Sequence, residues 1–188
     1  VADFTAPLVF DGRLPRPATF ALLGSTLGNF EPDAAVELLG HVRDAMESGD
    51  AFLMGADLRP GPAKPVERLE AAYDDARGVT ADFNLNVLRV LNRRLGTDFD
   101  LDGFEHRAFY DHDEGRIEMH LVARGEQSVR IPGGPVVDFG DGESVRTEIS
   151  TKYDRPGVDE LFGRAGLSVR EWREDDEGLY ALILAGPA

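Results

Sequence analysis

The 188-residue chain has no cysteine, which excludes disulfides, thiolate nucleophiles and thiolate metal sites and accords with a reducing cytoplasm. No apolar run approaches the roughly 18 residues of a membrane-spanning helix, and the opening "VADFTAPLVF" has no basic cluster of the kind that begins a secretory signal. Positive charge is also scarce. Twenty basic residues face 35 acidic ones, a formal net charge of −15. Such a surface repels nucleic acid and anionic lipid, because polyanion binding needs clustered Lys and Arg. The four histidines (His41, His106, His112 and His120) show no metal-ligand spacing, so no metal is expected. Neither a G-x-G-x-x-G fingerprint nor a phosphate loop ending in Gly-Lys-Ser/Thr occurs, which disfavours a nicotinamide oxidoreductase. Internal repeats and low-complexity segments are absent. Small-molecule chemistry in the cytoplasm is the expectation that remains.

What is present reads as an α/β protein. "TFALLG" (19–24) is a short apolar run, the pattern of a strand covered on both faces. Pro32 suits the first turn of a helix, and Ala35, Leu39, Val42 and Met46 recur at helical spacing until Gly49-Asp50. "AFLMGADL" (51–58) is a second strand, and a helical crossover of this length predicts that the two strands are parallel. "RPGPAKP" (59–65) breaks regular structure. Two helices follow, one with Val66, Leu69, Tyr73 and Ala76 on its inner face, the other over 79–95 with Phe83, Val87, Leu91 and Leu95 inward. The alternating stretch from His106 to Thr151, with turns at 113–115, 132–134 and 140–142, predicts three or four antiparallel strands. Pro156 then opens a helix with Val158, Leu161, Phe162 and Ala165 inward, closed by Gly166. A terminal hairpin turns at "DDEG", with Trp172 packed on the sheet. The organisation expected is an α/β core over 1–62, an inserted lobe over 63–150 and a return to the core over 151–188.

The junction "LLGSTLGNF" joins the first strand to the first helix. Gly24 and Gly28 allow a tight turn and close backbone approach. Asn29 places an amide at the strand's carboxyl end, where open α/β sheets bind ligands. Ser25, Thr26 and Asn29 are equally the residue types that cap a helix. On the strand "SVRTEIST", Arg146, Glu148 and Ser150 share one face and Val145, Thr147, Ile149 and Thr151 the other.

In their order, "VADF", "LLGSTLGNF", "AFLMGADL", "AAYDDARGVTADFNLNVLRVLN", "RIEMHL" and "RTEISTKY" resemble the histidine-specific, S-adenosylmethionine-dependent N-methyltransferases of ergothioneine biosynthesis. Those enzymes trimethylate the α-amine of L-histidine to hercynine. The resemblance runs over essentially the whole chain. It implies a Rossmann-like class I methyltransferase core with an inserted α+β substrate-binding lobe. On the cofactor side it implies Asp3, Phe4, Gly24 and Ser25, with Asp3 and Phe4 holding the adenine. On the substrate side it implies Gly24 and Asn29 for the carboxylate and amine, Tyr73 from the lobe, and Glu148 with Ser150 around the imidazole. Glu accepts from a ring N–H and Ser donates to the other nitrogen, a complementary demand few side chains meet.

Methyl transfer from a sulfonium needs alignment and a neutral amine rather than a nucleophile, so no catalytic side chain is assigned. The family's glycine-rich cofactor loop and the acidic residue after its second strand match nothing here. The chain starts at Val1 with a strand-like "VADF", so an N-terminal part of the core, its first strands, is expected to be missing. The isolated chain is then expected to bind S-adenosylmethionine poorly. The competing expectation is a non-catalytic, amino-acid-binding half completed by a partner, with an exposed sheet edge favouring a homodimer.

Overall fold

The structure is a computed structural model that describes residues 5–10 and 14–188. Asp3 and Phe4 lie outside the described residues. The chain divides into two compact units, one ending at Pro65 and resuming over Ser150–Ala188, the other formed by Val66–Ile149.

The first unit is built on a four-stranded sheet in the order β1-β2-β9-β8. Strand β1 (Thr19–Leu22) runs parallel to β2 (Ala51–Asp57), with Thr19 opposite Ala51 and Leu22 opposite Met54. Helix α1 (Pro32–Ala45) supplies the crossover that parallel pairing requires. Strands β8 (Leu167–Glu174) and β9 (Tyr180–Pro187) form the terminal hairpin, and β9 lies antiparallel to β2. Helix α4 (Arg155–Arg164) starts where the Asp154 carboxylate accepts from the Gly157 amide at 2.8 Å. Leu38, Leu39 and Val42 of α1 share one core with Val158 and Phe162 of α4 and with Phe52, Met54 and Ile183 of the sheet. The Phe52 and Phe162 rings lie 5.9 Å apart. This mixed α/β class is the one read from the sequence. Strand β1 differs from expectation, because Thr19 and Ala21 are exposed. Among the described residues it pairs with β2 alone, so it is an edge strand with one covered face.

The second unit places helices α2 (Val66–Tyr73) and α3 (Val79–Leu95) with five strands. Strands β3 (Phe104–Asp111), β4 (Arg116–Ala123) and β7 (Ser144–Thr151) form a sheet in the order β3-β4-β7. Strands β5 (Gln127–Arg130) and β6 (Val136–Phe139) make a separate hairpin. Five strands therefore replace the expected three or four, since the short β5-β6 excursion pairs only with itself. Helix α2 ends at Tyr73, which leaves Ala76 in the following turn.

Helix α3 also departs from its expected face. Phe83 is 63% exposed, Val87 42% and Leu95 56%, whereas Leu88 and Asn84 are buried. Asn84 belongs inside because its amide donates to His106 Nδ1 at 3.0 Å and to the His120 carbonyl at 3.1 Å.

Candidate functional site

The strand–helix junction answers for its composition residue by residue. After β1, Gly24 takes φ +80° and Ser25 takes φ +58°, both left-handed, so the chain reverses at once into a 3-10 turn over Thr26–Asn29. Gly28 is needed for another reason. A Cβ there would stand 2.7 Å from the Thr151 carbonyl oxygen and 3.1 Å from its nitrogen, so the glycine admits the end of β7 rather than a ligand. The capping role open to Ser25, Thr26 and Asn29 is not what they do. Helix α1 begins after Glu31 with no side-chain cap. Thr26 instead returns its hydroxyl to the Leu23 carbonyl at 3.1 Å. The Ser25 hydroxyl accepts the Asp57 amide at 3.0 Å, which ties the turn to the end of β2. Asn29 is exposed, and its amide makes no hydrogen bond among the described residues.

Asp57 is the centre of a polar hub that sequence reasoning missed. The chain contains only two lysines, Lys64 and Lys152, and both end on the Asp57 carboxylate. Lys64 meets Oδ1 and also donates to the Leu58 carbonyl at 2.7 Å. Lys152, whose side chain is fully buried, meets Oδ2 at 2.7 Å and donates to the Ser150 hydroxyl at 2.8 Å. Backbone bonds from the Tyr153 amide to the Asp57 carbonyl and from the Arg59 amide to the Tyr153 carbonyl, each 2.9 Å, clamp the 150–153 segment beside β2. A buried ammonium is tolerated where a carboxylate and further acceptors replace its water. The available signal was the rarity of lysine in a chain that otherwise uses arginine eighteen times.

Within the first unit the structure links Ser25 and Ser150 through Asp57 and Lys152. A cavity of about 180 Å³ is walled by Phe30, Pro32, Arg59, Lys152, Tyr153 and Leu161, and none of Gly24, Ser25, Asn29 and Ser150 lines it. Burial pushes the Tyr153 phenol well above its usual range, so it stays protonated. Gly24 presents exposed backbone with nothing nearer its missing Cβ than Thr26 Oγ1 at 3.9 Å, a surface that a cofactor can approach closely. Ser25 accepts one bond and keeps its proton to donate.

Tyr73 and Glu148 belong to the second unit. Tyr73 closes α2, packs against the cluster of Leu69, Tyr110, Ile117 and Met119, and is held by its carbonyl, which accepts His106 Nε2–H at 2.8 Å. The "AYDDARGVTADFN" motif also has structural work. Asp75 accepts from the amides of Thr80 (2.8 Å), Val79 and Arg77 (3.2 Å each), and these bonds hold its carboxyl at about 2. It thereby fixes the start of α3.

Glu148 is half-buried on β7. Arg146, two residues before it, reaches Glu118 of β4 at 3.0 Å. Glu118 is gripped as well by Arg116 (2.7 Å) and by His120 Nε2 (2.9 Å), with the Phe109 ring stacked on His120 at 5.3 Å. Burial alone would raise the Glu118 carboxyl; the bonds from His120, Arg116 and Arg146 outweigh it and hold the group at about 2. The carboxylate is charged at neutral pH and ties Arg146 of β7 to β4.

A histidine N-alpha-methyltransferase of Mycolicibacterium smegmatis is 47% identical over 177 residues, which cover 93% of this chain and 54% of that protein. Its counterpart in Mycobacterium tuberculosis is 44% identical over 167 residues, 88% of this chain and 51% of the other. An L-tryptophan methyltransferase of Psilocybe serbica is 29% identical over 171 residues, 89% of this chain and 46% of the other. The chain thus spans about half the length of the curated relatives it matches. A family model described as histidine-specific, SAM-dependent methyltransferase matches residues 1–187, and the chain belongs to that family.

Proposed function

We propose that the protein carrying this chain transfers methyl groups from S-adenosylmethionine to the α-amine of L-histidine, the step that forms hercynine in ergothioneine biosynthesis. The observation that supports the reading is the convergence of the "GSTLGN" turn and the "ISTK" segment on Asp57, through Ser25 on one side and Lys152 with Ser150 on the other. The family match and the two mycobacterial relatives support the substrate. Formal charge −15 favours a small-molecule substrate over nucleic acid or a membrane surface, and among the described residues no helix is long and apolar enough to cross a membrane. The absence of cysteine favours the cytoplasm.

The bound cofactor supplies an activated methyl group on its sulfonium. The residues here fit such a group at the open backbone of Gly24 and the free proton of Ser25. What remains for the chain is to orient the amino acid. Asn29 donates its uncharged amide to the substrate carboxylate, which leaves the amine free to lose its proton. Tyr73 bounds the substrate from the lobe. Glu148 accepts the imidazole N–H and Ser150 donates to the other ring nitrogen. Holding amine and methyl in line is the main source of rate.

The test is to incubate the complete gene product with methyl-labelled S-adenosylmethionine and each of the twenty amino acids. Histidine is expected to be labelled in preference to all others. The relative that methylates tryptophan makes that amino acid the informative competitor. Preference for tryptophan, or no labelling of any amino acid, overturns the proposal.

A further inference from the structure

We infer that His106 is a positioning residue for Tyr73, holding the end of α2 through a proton whose place the fold dictates. The inference rests on the reading above, in which Tyr73 bounds the substrate, and adds a determinant of how tightly the amino acid is held. Three elements of the second unit meet at the His106 ring, which lies on β3. Asn84 of α3 stands 3.0 Å from Nδ1, and the Tyr73 carbonyl at the end of α2 stands 2.8 Å from Nε2. The protons along this chain have one consistent assignment. Asn84 also faces the His120 carbonyl at 3.1 Å. A carbonyl can only accept, so it is the amide nitrogen of Asn84 that faces it. That nitrogen carries two protons and accepts nothing, so its second proton goes to Nδ1, which must be bare. Nε2 then holds the ring's proton and gives it to the Tyr73 carbonyl. The ring is neutral, and its tautomer is fixed.

A capping bond alone does not call for this arrangement. The last carbonyls of a helix lack intrahelical partners, and water or a lysine or arginine commonly serves them. Ala71, Ala72 and Asp74 are exposed, so solvent reaches this end of α2. The chain instead commits Asn84, only 1% exposed, to orienting the ring that reaches Tyr73. Burying an amide is costly unless its hydrogen bonds are made. Three residues earlier the Glu70 carboxylate accepts the Tyr110 amide at 2.9 Å, so α2 is pinned to β3 at two points. A helix end held at Glu70 alone could pivot and swing the Tyr73 ring. The bond from His106 removes that freedom.

The experiment replaces His106 by each of the two amides. Gln carries its amide nitrogen near the place of Nε2, and Asn carries its own near that of Nδ1. His106→Gln therefore keeps the bond to Tyr73, whereas His106→Asn keeps only the one to Asn84. In the complete gene product, His106→Asn is expected to raise the KM for histidine about fivefold, the ordinary worth of one hydrogen bond, with the KM for S-adenosylmethionine unchanged. His106→Gln should stay close to the parent. In a Tyr73→Ala background, His106→Asn should raise the KM no further. A merely structural role for the ring predicts equal losses from the two amides or the reverse order, and either result overturns the inference. So does a parallel rise in both KM values, or a penalty that survives in Tyr73→Ala. Nitrogen NMR of the parent protein decides the matter if the variants do not fold. His106 must appear at neutral pH as the neutral Nε2–H tautomer, and a charged ring or an Nδ1–H tautomer overturns the inference. A parent protein that does not methylate histidine defeats the functional reading. One that does, with the same histidine KM in both amide variants, defeats this inference alone.

Discussion

Replacing Gly28 by alanine adds one methyl group where the backbone of Thr151 already stands. The new Cβ would lie 2.7 Å from the Thr151 carbonyl oxygen and 3.1 Å from its nitrogen, both backbone atoms that no rotamer change can move. Overpacking of this kind costs about 1–3 kcal/mol. The stiffer unfolded chain returns roughly 0.4–1 kcal/mol of that. A net loss near 1.5 kcal/mol lowers the Tm of a domain this size by about 3–6 °C. Gly40 supplies the control. It lies within α1, nothing stands within 4 Å of its missing Cβ, and alanine there should stabilise the helix by roughly 1 kcal/mol. The two glycine-to-alanine changes must therefore shift the melting temperature in opposite directions, read by differential scanning calorimetry. If Gly28→Ala melts at or above the parent temperature, the close approach of Thr151 is wrong, and with it the argument that this glycine serves packing rather than a ligand.

Acid should loosen the second unit through Glu118. Its carboxyl is depressed to about 2 from 4.5, so the stability it contributes is complete above the unfolded value and is lost as pH falls from about 4.5 toward 2. In Glu118→Gln the acid limb of a pH–stability curve should flatten across that window; a limb of unchanged slope would show that the Arg116, His120 and Arg146 contacts are not made. Glu148→Ala is expected to weaken histidine by roughly 1–3 kcal/mol in kcat/KM while sparing other amino acids. Equal weakening toward every substrate, measured by labelled methyl transfer, would deny Glu148 its role at the imidazole.

The fold was legible wherever burial followed a single stripe. Ala35, Leu39, Val42 and Met46 mark α1 because it has one apolar side, and all four are buried. Helix α3 has two. Val79, Phe83 and Val87 recur at the same spacing as Leu88 and its neighbours, and periodicity cannot rank them. The deciding residue is Asn84, which pattern reading sends outward and which is buried because His106 and the His120 carbonyl receive its amide. Those partners sit more than twenty residues away, beyond any local window. The turn at Gly24 was legible as a turn, yet the purposes of Ser25 and Gly28 were not. Both are set by residues 32 and 123 positions distant, Asp57 and Thr151.

The hub at Asp57 exposes a limit of another kind. Carboxylates number 35 and nothing in "MGADLRP" singles one out. The discriminating feature lies in the choice of cation. Arginine delocalises its charge over a planar fork suited to bidentate pairing, whereas lysine concentrates it on a compact group whose three protons diverge. A site that must serve one carboxylate oxygen and one hydroxyl in different directions, as Lys152 does, needs the divergent geometry. A site that must reach a carboxylate oxygen and the Leu58 carbonyl, as Lys64 does, needs it too. Where arginine suffices, on the exposed faces and in the two-toothed grip of Arg116 on Glu118, this chain uses arginine. Both lysines stand where a point charge is shared among several acceptors, Lys64 between Asp57 and the Leu58 carbonyl and Lys152 between Asp57 and Ser150, so their scarcity marks the Asp57 hub.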